Sequence, residues 1–200
     1  MKYFGTDGFR GKANEGLRVD HAYKIGRFIG WYYGLREDKK ARILLGKDTR
    51  RSSYMFESAL VSGLVASGAD TYMLHVIPTP GLSYEVLDGA FDCGIMITAS
   101  HNPFVDNGIK LVNTCGYKMD EDVLQKVEDY IDDKFEVPLA TGDKSAARLI
   151  ICKVAIATSR ILFLPAVFPC KAGALAWTAQ MVLRRVLRAR SLTLWAPKRT

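Results

Sequence analysis

Apolar positions along the first 144 residues follow two alternating rhythms. Ala22, Ile25, Phe28, Ile29 and Tyr32 fall at the three- and four-residue steps of a helix, with Asp20 placed to cap it. Ala41-Arg42-Ile43-Leu44-Leu45 is a short apolar run that ends at Gly46-Lys47-Asp48 and predicts a strand. A second helix is predicted from Ser52 or Ser53 through Phe56, Leu60, Leu64 and Val65, closed by Gly68. Further strands are predicted over residues 71–76, 93–97 and 108–112, and Asp120 or Asp122 opens a helix through Val123, Val127 and Ile131. Strands alternating with helices predict an α/β fold, a layered domain with a mostly parallel mixed sheet between helices.

Beyond Lys144 the rhythm is lost. From Ala146 to Thr200 the chain holds ten Lys or Arg and no Asp or Glu. The first 145 residues therefore carry 18 basic and 21 acidic residues, and the overall net charge of +7 belongs to the tail. The longest uncharged apolar stretches of that tail, 161–170 and 172–183, are too short to span a bilayer as a helix. The N-terminus has no apolar run of signal-peptide length, which predicts a cytoplasmic protein. Cys93, Cys115, Cys152 and Cys170 show no CxxC spacing, so reduced thiols are expected rather than a zinc site or a disulfide framework.

Four short segments carry candidate chemistry. Phe4-Gly5-Thr6-Asp7-Gly8-Phe9-Arg10-Gly11 sets three glycines around Arg10, whose planar fork suits phosphate. Gly46-Lys47-Asp48-Thr49-Arg50-Arg51-Ser52 lies between a strand and a helix, where a basic cluster suits an anion; a solvated charged turn is the plainer reading. Thr98-Ala99-Ser100-His101-Asn102-Pro103 follows an apolar strand directly. There Ser100 can be exposed on a rigid backbone, and His101 can orient it or deliver a proton. Pro103 restricts Asn102. Asp106-Asn107-Gly108-Ile109-Lys110 follows, and burial would fit Lys110 for acid–base work. A Ser-His-Asp hydrolase lacks its Gly-x-Ser-x-Gly elbow here.

Taken in order, these four segments resemble the α-D-phosphohexomutase superfamily, most closely its bacterial phosphoglucosamine mutase branch. Ile77-Pro78-Thr79-Pro80 adds to the likeness, which runs from Met1 to about Lys144. Phe9 stands where the family more often has Ile, and Thr98 where it often has Ser; neither change removes a reacting group.

The resemblance implies that Ser100 carries a phosphoryl group, donates it to a hexosamine phosphate and recovers the other phosphate from a bisphosphate intermediate. Glucosamine 6-phosphate would become glucosamine 1-phosphate, a precursor of the cell wall. Ser100, Lys110, Arg10 and His101 are the implied catalytic residues: carrier, proton-transfer group, charge stabiliser and loop support. Arg10, Lys47, Arg50 and Asn102 are the implied phosphate ligands. Mg²⁺ is the implied cofactor, bound to Ser100 through its phosphate and to an Asp-Gly-Asp-Gly-Asp-Arg loop that this sequence does not contain. The sequence thus reads as an incomplete, inactive fragment, with a homo-oligomer possible in full-length relatives. No nucleic-acid or membrane partner is expected.

The tail has its own explanation. Codons for residues 175–182, read one base earlier, are compatible with Gly-Leu-Asp-Cys-Ala-Asn-Gly, and those for 192–200 with Asp-Ala-Leu-Gly-Ala-Lys-Thr. Both strings resemble the start of the family's second domain. Residues 1–144 are therefore read as the phosphoserine domain and 145–200 as an out-of-frame remnant of the next. The competing readings are a nucleic-acid or lipid binder driven by Arg184, Arg185, Arg188 and Arg190, a non-catalytic sugar-phosphate or anion-binding module with a basic tail, and a phosphomannomutase or phosphoglucomutase relative.

Overall fold

A computed structural model describes residues 1–34, 37–142 and 146–150. Its elements run β1 (Phe4–Gly5), β2 (Gly8–Lys12), α1 (Val19–Tyr33), β3 (Arg42–Lys47), α2 (Ser53–Ala66), β4 (Asp70–Val76), α3 (Thr79–Asp88), β5 (Cys93–Ile97), β6 (Asp106–Val112), α4 (Glu121–Ile131) and β7 (Arg148–Ile150). The strands form one mixed sheet in the order β1-β2-β6-β5-β3-β4-β7. β5, β3, β4 and β7 run parallel; β1, β2 and β6 pair antiparallel, and β6 also joins β5 antiparallel.

The strand period divides the apolar residues between two faces. Ile43 and Leu45 of β3 pack with Phe28, Leu60 and Val127 of α1, α2 and α4, whereas Leu44 packs with Leu82 and Val86 of α3. Both faces of β3 are thus covered, which is why its sequence reads as an unbroken apolar run. The N-terminal segment is fastened separately. The buried Glu128 carboxylate of α4 accepts the backbone N–H groups of Lys2, Tyr3 and Phe4 at 2.6, 2.8 and 2.7 Å.

Three features depart from the sequence reading. The segment around Gly5–Gly11, for which no strand was expected, is a β-hairpin. Helix α3 was not expected, because Pro80 and Gly81 break its pattern; proline is nonetheless tolerated in a first helical turn, where its missing N–H is unneeded. Helix α1 begins earlier than expected: Arg18 is the N-cap, and Asp20 sits in the first turn paired with it at 2.5 Å. The boundary at Lys144 and the reading of the tail fall outside the described residues, except that residues 148–150 extend the sheet as β7.

Candidate functional site

Parallel pairing brings the ends of β3 and β5 to one edge of the sheet, where Asp48 N–H donates to the Ile97 carbonyl at 3.0 Å. Antiparallel β6 starts at that same edge. The chain between β5 and β6 must reverse there within residues 98–105, and Ser100 is its exposed crest. Ser100 has φ = 57°, a left-handed backbone that costs an L-residue about 1–2 kcal/mol. Strain of this kind persists only where the surroundings fix it.

The fixing groups are two. The Asp48 carboxylate accepts the Thr98 hydroxyl at 2.8 Å, and Thr98 Oγ1 in turn accepts the Ser100 N–H at 3.0 Å. Asp48 also accepts the Ser53 hydroxyl at 3.0 Å and the Arg50 N–H at 2.9 Å. The Arg50 guanidinium, paired with Asp48 at 2.9 Å, donates to four backbone carbonyls of the loop: Ser100 at 3.0 Å, Asn102 at 2.8 Å, Asp106 at 3.0 Å, and Pro103. Five donors in a rigid fork make such multiple backbone capture an arginine property. Behind the loop, buried Asn107 donates to the Ser52 and Ser53 hydroxyls. Gly108 is needed because a Cβ there would lie 2.6 Å from the Thr98 carbonyl oxygen.

Arg10 faces Gly108 in the β2–β6 register, which places it on the same side of the sheet as Lys110, two residues further along β6. One Arg10 nitrogen reaches Asn102 Oδ1 at 3.4 Å and Asp7 at 3.3 Å. Its Nε is buried without a partner among the described residues. Burial lowers the basicity of Lys110; the Arg10 charge lowers it further, and Asp7 opposes both. Asp7 stands at the tip of the β1–β2 hairpin, where Gly8 takes φ = 91°; a Cβ on Gly8 would meet the Ile109 carbonyl at 2.5 Å. Asp7, Gly8 and Lys110 line a cavity of about 190 Å³ that also touches Thr79 and Lys118.

The structure therefore gathers Ser100, Asn102, Arg10 and Arg50 around one loop, with Lys110 beside Arg10. Two other expected residues, Lys47 and His101, make no contact that shows the part expected of them. Lys47 is 1% exposed, with its ammonium paired to the Glu57 carboxylate and set over the Tyr54 ring. It closes a core position instead of presenting a charge to a ligand. His101 is exposed beside Ser100 and makes no hydrogen bond or ion pair among the described residues. Arg50 is spent on backbone carbonyls rather than left open to phosphate. Asp48 and Thr98 were not assigned roles from sequence. An acid directly after one strand and a hydroxyl directly after its parallel neighbour were the available signal.

Comparisons with known proteins bear on the family and the fold. The sequence model of a family described as phosphoglucomutase/phosphomannomutase, α/β/α domain I, matches residues 1–137. The chain is 64% identical over 143 residues to a phosphoglucosamine mutase of Lachnoclostridium phytofermentans, covering 71% of this chain and 32% of that protein. It is 65% identical over 144 residues to a phosphoglucosamine mutase of Lachnospira eligens, with the same coverage. The chain thus spans about a third of the length of these relatives. A solved phosphoglucomutase/phosphomannomutase family protein from Burkholderia thailandensis shares the fold with a TM-score of 0.64 at 24% identity, over 80% of this chain and 35% of that one.

Proposed function

Because the chain belongs to the phosphoglucomutase/phosphomannomutase family through that family's domain I, we propose that it is the phosphoserine domain of a mutase interconverting glucosamine 6-phosphate and glucosamine 1-phosphate. The observation that carries this reading is the strained, exposed Ser100, clamped by Asp48, Thr98 and Arg50 beside Arg10.

In the proposed half-reaction phosphorylated Ser100 meets a sugar hydroxyl. The bond from phosphorus to Ser100 Oγ breaks, a bond from phosphorus to the sugar oxygen forms, and the departing Ser100 Oγ takes a proton from solvent at the exposed crest of its loop. The hydroxyl proton passes to Lys110, whose lowered basicity favours the neutral amine that can accept it. Arg10, with an unpartnered buried Nε, offers positive charge to the moving phosphoryl group. The second half-reaction reverses these steps at the other end of the bisphosphate. Phosphoryl transfer asks mostly for positioning and charge neutralisation, which is what a fixed loop beside Arg10 and Lys110 supplies.

The family resemblance also implies Mg²⁺. Among the described residues no three His, Cys, Asp or Glu side chains converge to hold a metal ion. The residues described do not fit that ion by themselves. Among these residues, too, no helix is long and apolar enough to cross a membrane. We propose that residues 145–200 are an out-of-frame remnant of the second domain. Coding DNA in which one base restored near Lys144 fails to yield the two second-domain strings would refute it.

The function is tested by grafting residues 1–137 into the matched segment of the Lachnospira eligens enzyme and following glucosamine 1-phosphate formation with Mg²⁺ and a bisphosphate activator. The graft should turn over, and its Ser100→Ala form should not. Normal turnover by Ser100→Ala would remove Ser100 as the carrier.

A further inference from the structure

We propose that Asp106 is a positioning residue for Arg10: acting through the side-chain amide of Asn102, it holds the Arg10 guanidinium to the loop that carries Ser100. That Arg10 meets the phosphoryl charge rests on the reading above; where Arg10 stands does not.

Little of the fold depends on the Asp106 carboxylate. The backbone of this residue is fixed by its own groups. Its N–H donates to the Pro103 carbonyl at 3.0 Å, and its carbonyl accepts from Arg50 at 3.0 Å. Asp106 faces Lys12 in the β2–β6 register, but the Lys12 ammonium is paired with Glu15 at 2.7 Å. Among the described residues Asp106 forms no ion pair, and its carboxylate accepts one hydrogen bond, from Asn102 Nδ2 at 3.0 Å.

That bond orients what lies beyond it. A carboxylate can only accept, so the NH2 end of the Asn102 amide must face Asp106. The oxygen end then faces Arg10, which can only donate and reaches it at 3.4 Å. Both neighbours demand the same orientation of the amide. Such a chain also polarises itself, because a carboxylate drawing on the NH2 end makes the oxygen end a better acceptor. The same Arg10 nitrogen lies 3.3 Å from Asp7 of the hairpin, so the guanidinium stands between two acceptors on separate elements. Its Nε is buried and finds no partner among the described residues, so little else holds the fork in place. Asp106 tips it toward the serine loop. Stabilising a developing charge requires a donor that already stands where the charge appears.

The isotope-labelled 200-residue chain provides the test, with exchange of the Arg10 Nε–H followed by NMR. Asp106→Ala leaves both backbone bonds of residue 106 in place and should speed that exchange about two- to tenfold, the range of one lost hydrogen bond. Asp106→Asn keeps an acceptor oxygen at the same reach and should stay within about twofold of the unaltered chain. In an Asn102→Ala background Asp106→Ala should add nothing, because its path to Arg10 is gone. A merely structural Asp106 would disturb the backbone amides of β2 and β6 and act equally with and without Asn102. That result, or an Arg10 exchange rate unmoved by Asp106→Ala, overturns the assignment. In the grafted enzyme Asp106→Ala should lower kcat with KM unchanged, the mark of an interaction made only in the transition state; a raised KM with kcat kept overturns it as well. A graft that never turns over counts against the mutase reading alone, since the placement of Arg10 is read without turnover.

Discussion

Replacing Ser100 with glycine should stabilise this domain, whereas replacing it with alanine should not. Ser100 holds φ = 57°, and its hydroxyl makes no hydrogen bond among the described residues. The left-handed backbone costs a residue with a Cβ about 1–2 kcal/mol. Glycine avoids that cost, but it gives back about 0.5–1 kcal/mol through the greater freedom of its unfolded chain. The net gain is about 0.5–1 kcal/mol, or roughly 2–4 °C in Tm for a domain of this size. Alanine keeps the Cβ and the strain and removes only a solvent-facing oxygen, so its effect should stay within about 0.5 kcal/mol. Urea unfolding followed by circular dichroism separates the two, with the three proteins compared at equal m-value. If Ser100→Gly is no more stable than Ser100→Ala, the strain is not held at Ser100 and the account of the clamp is wrong.

Two further expectations concern the neighbours of Ser100. Arg50→Lys retains a charge but loses the fork that spans four carbonyls, so it should cost about 2 kcal/mol, in the range of one lost hydrogen bond to a charged group; a loss below about 0.5 kcal/mol in the same urea assay would refute the clamp. Lys110 should titrate below the ordinary lysine value of about 10.4 when followed by NMR at its side chain, further below in Asp7→Asn, and closer to it in Arg10→Gln. Because its folded pKa is depressed, the unfolded chain binds more protons across that interval. The stability withheld at lower pH should therefore return as pH rises through the folded pKa toward the ordinary value. A Lys110 midpoint unmoved by Asp7→Asn would separate the two side chains.

Much of this architecture was legible because apolar spacing reports burial directly. The runs at β3 and β5 and the helical steps of α1, α2 and α4 all appear where the sequence put them. Helix α3 was hidden because its first turn carries proline and glycine, residues that count against a helix only when they lie in its interior. The hairpin was hidden because three glycines read equally well as a loop. In the site, Ser100, Arg10 and Lys110 could be picked out as single residues with obvious chemistry. Lys47 was misjudged, since its burial beside Glu57 depends on a helix ten residues further on. Asp48 and Thr98 act only as a pair. Their meaning depends on β3 and β5 ending side by side, which is a property of the register and not of either segment.

Arg50 grips the loop by its main chain alone. Every residue contributes the same carbonyl, so the grip does not depend on which side chains the loop displays. Exposed His101, Phe104 and Val105 are free to drift in sequence without loosening the turn beneath them. Holding and display are thereby uncoupled, and a loop of this construction can change its exposed side chains one at a time while Ser100 stays where it was.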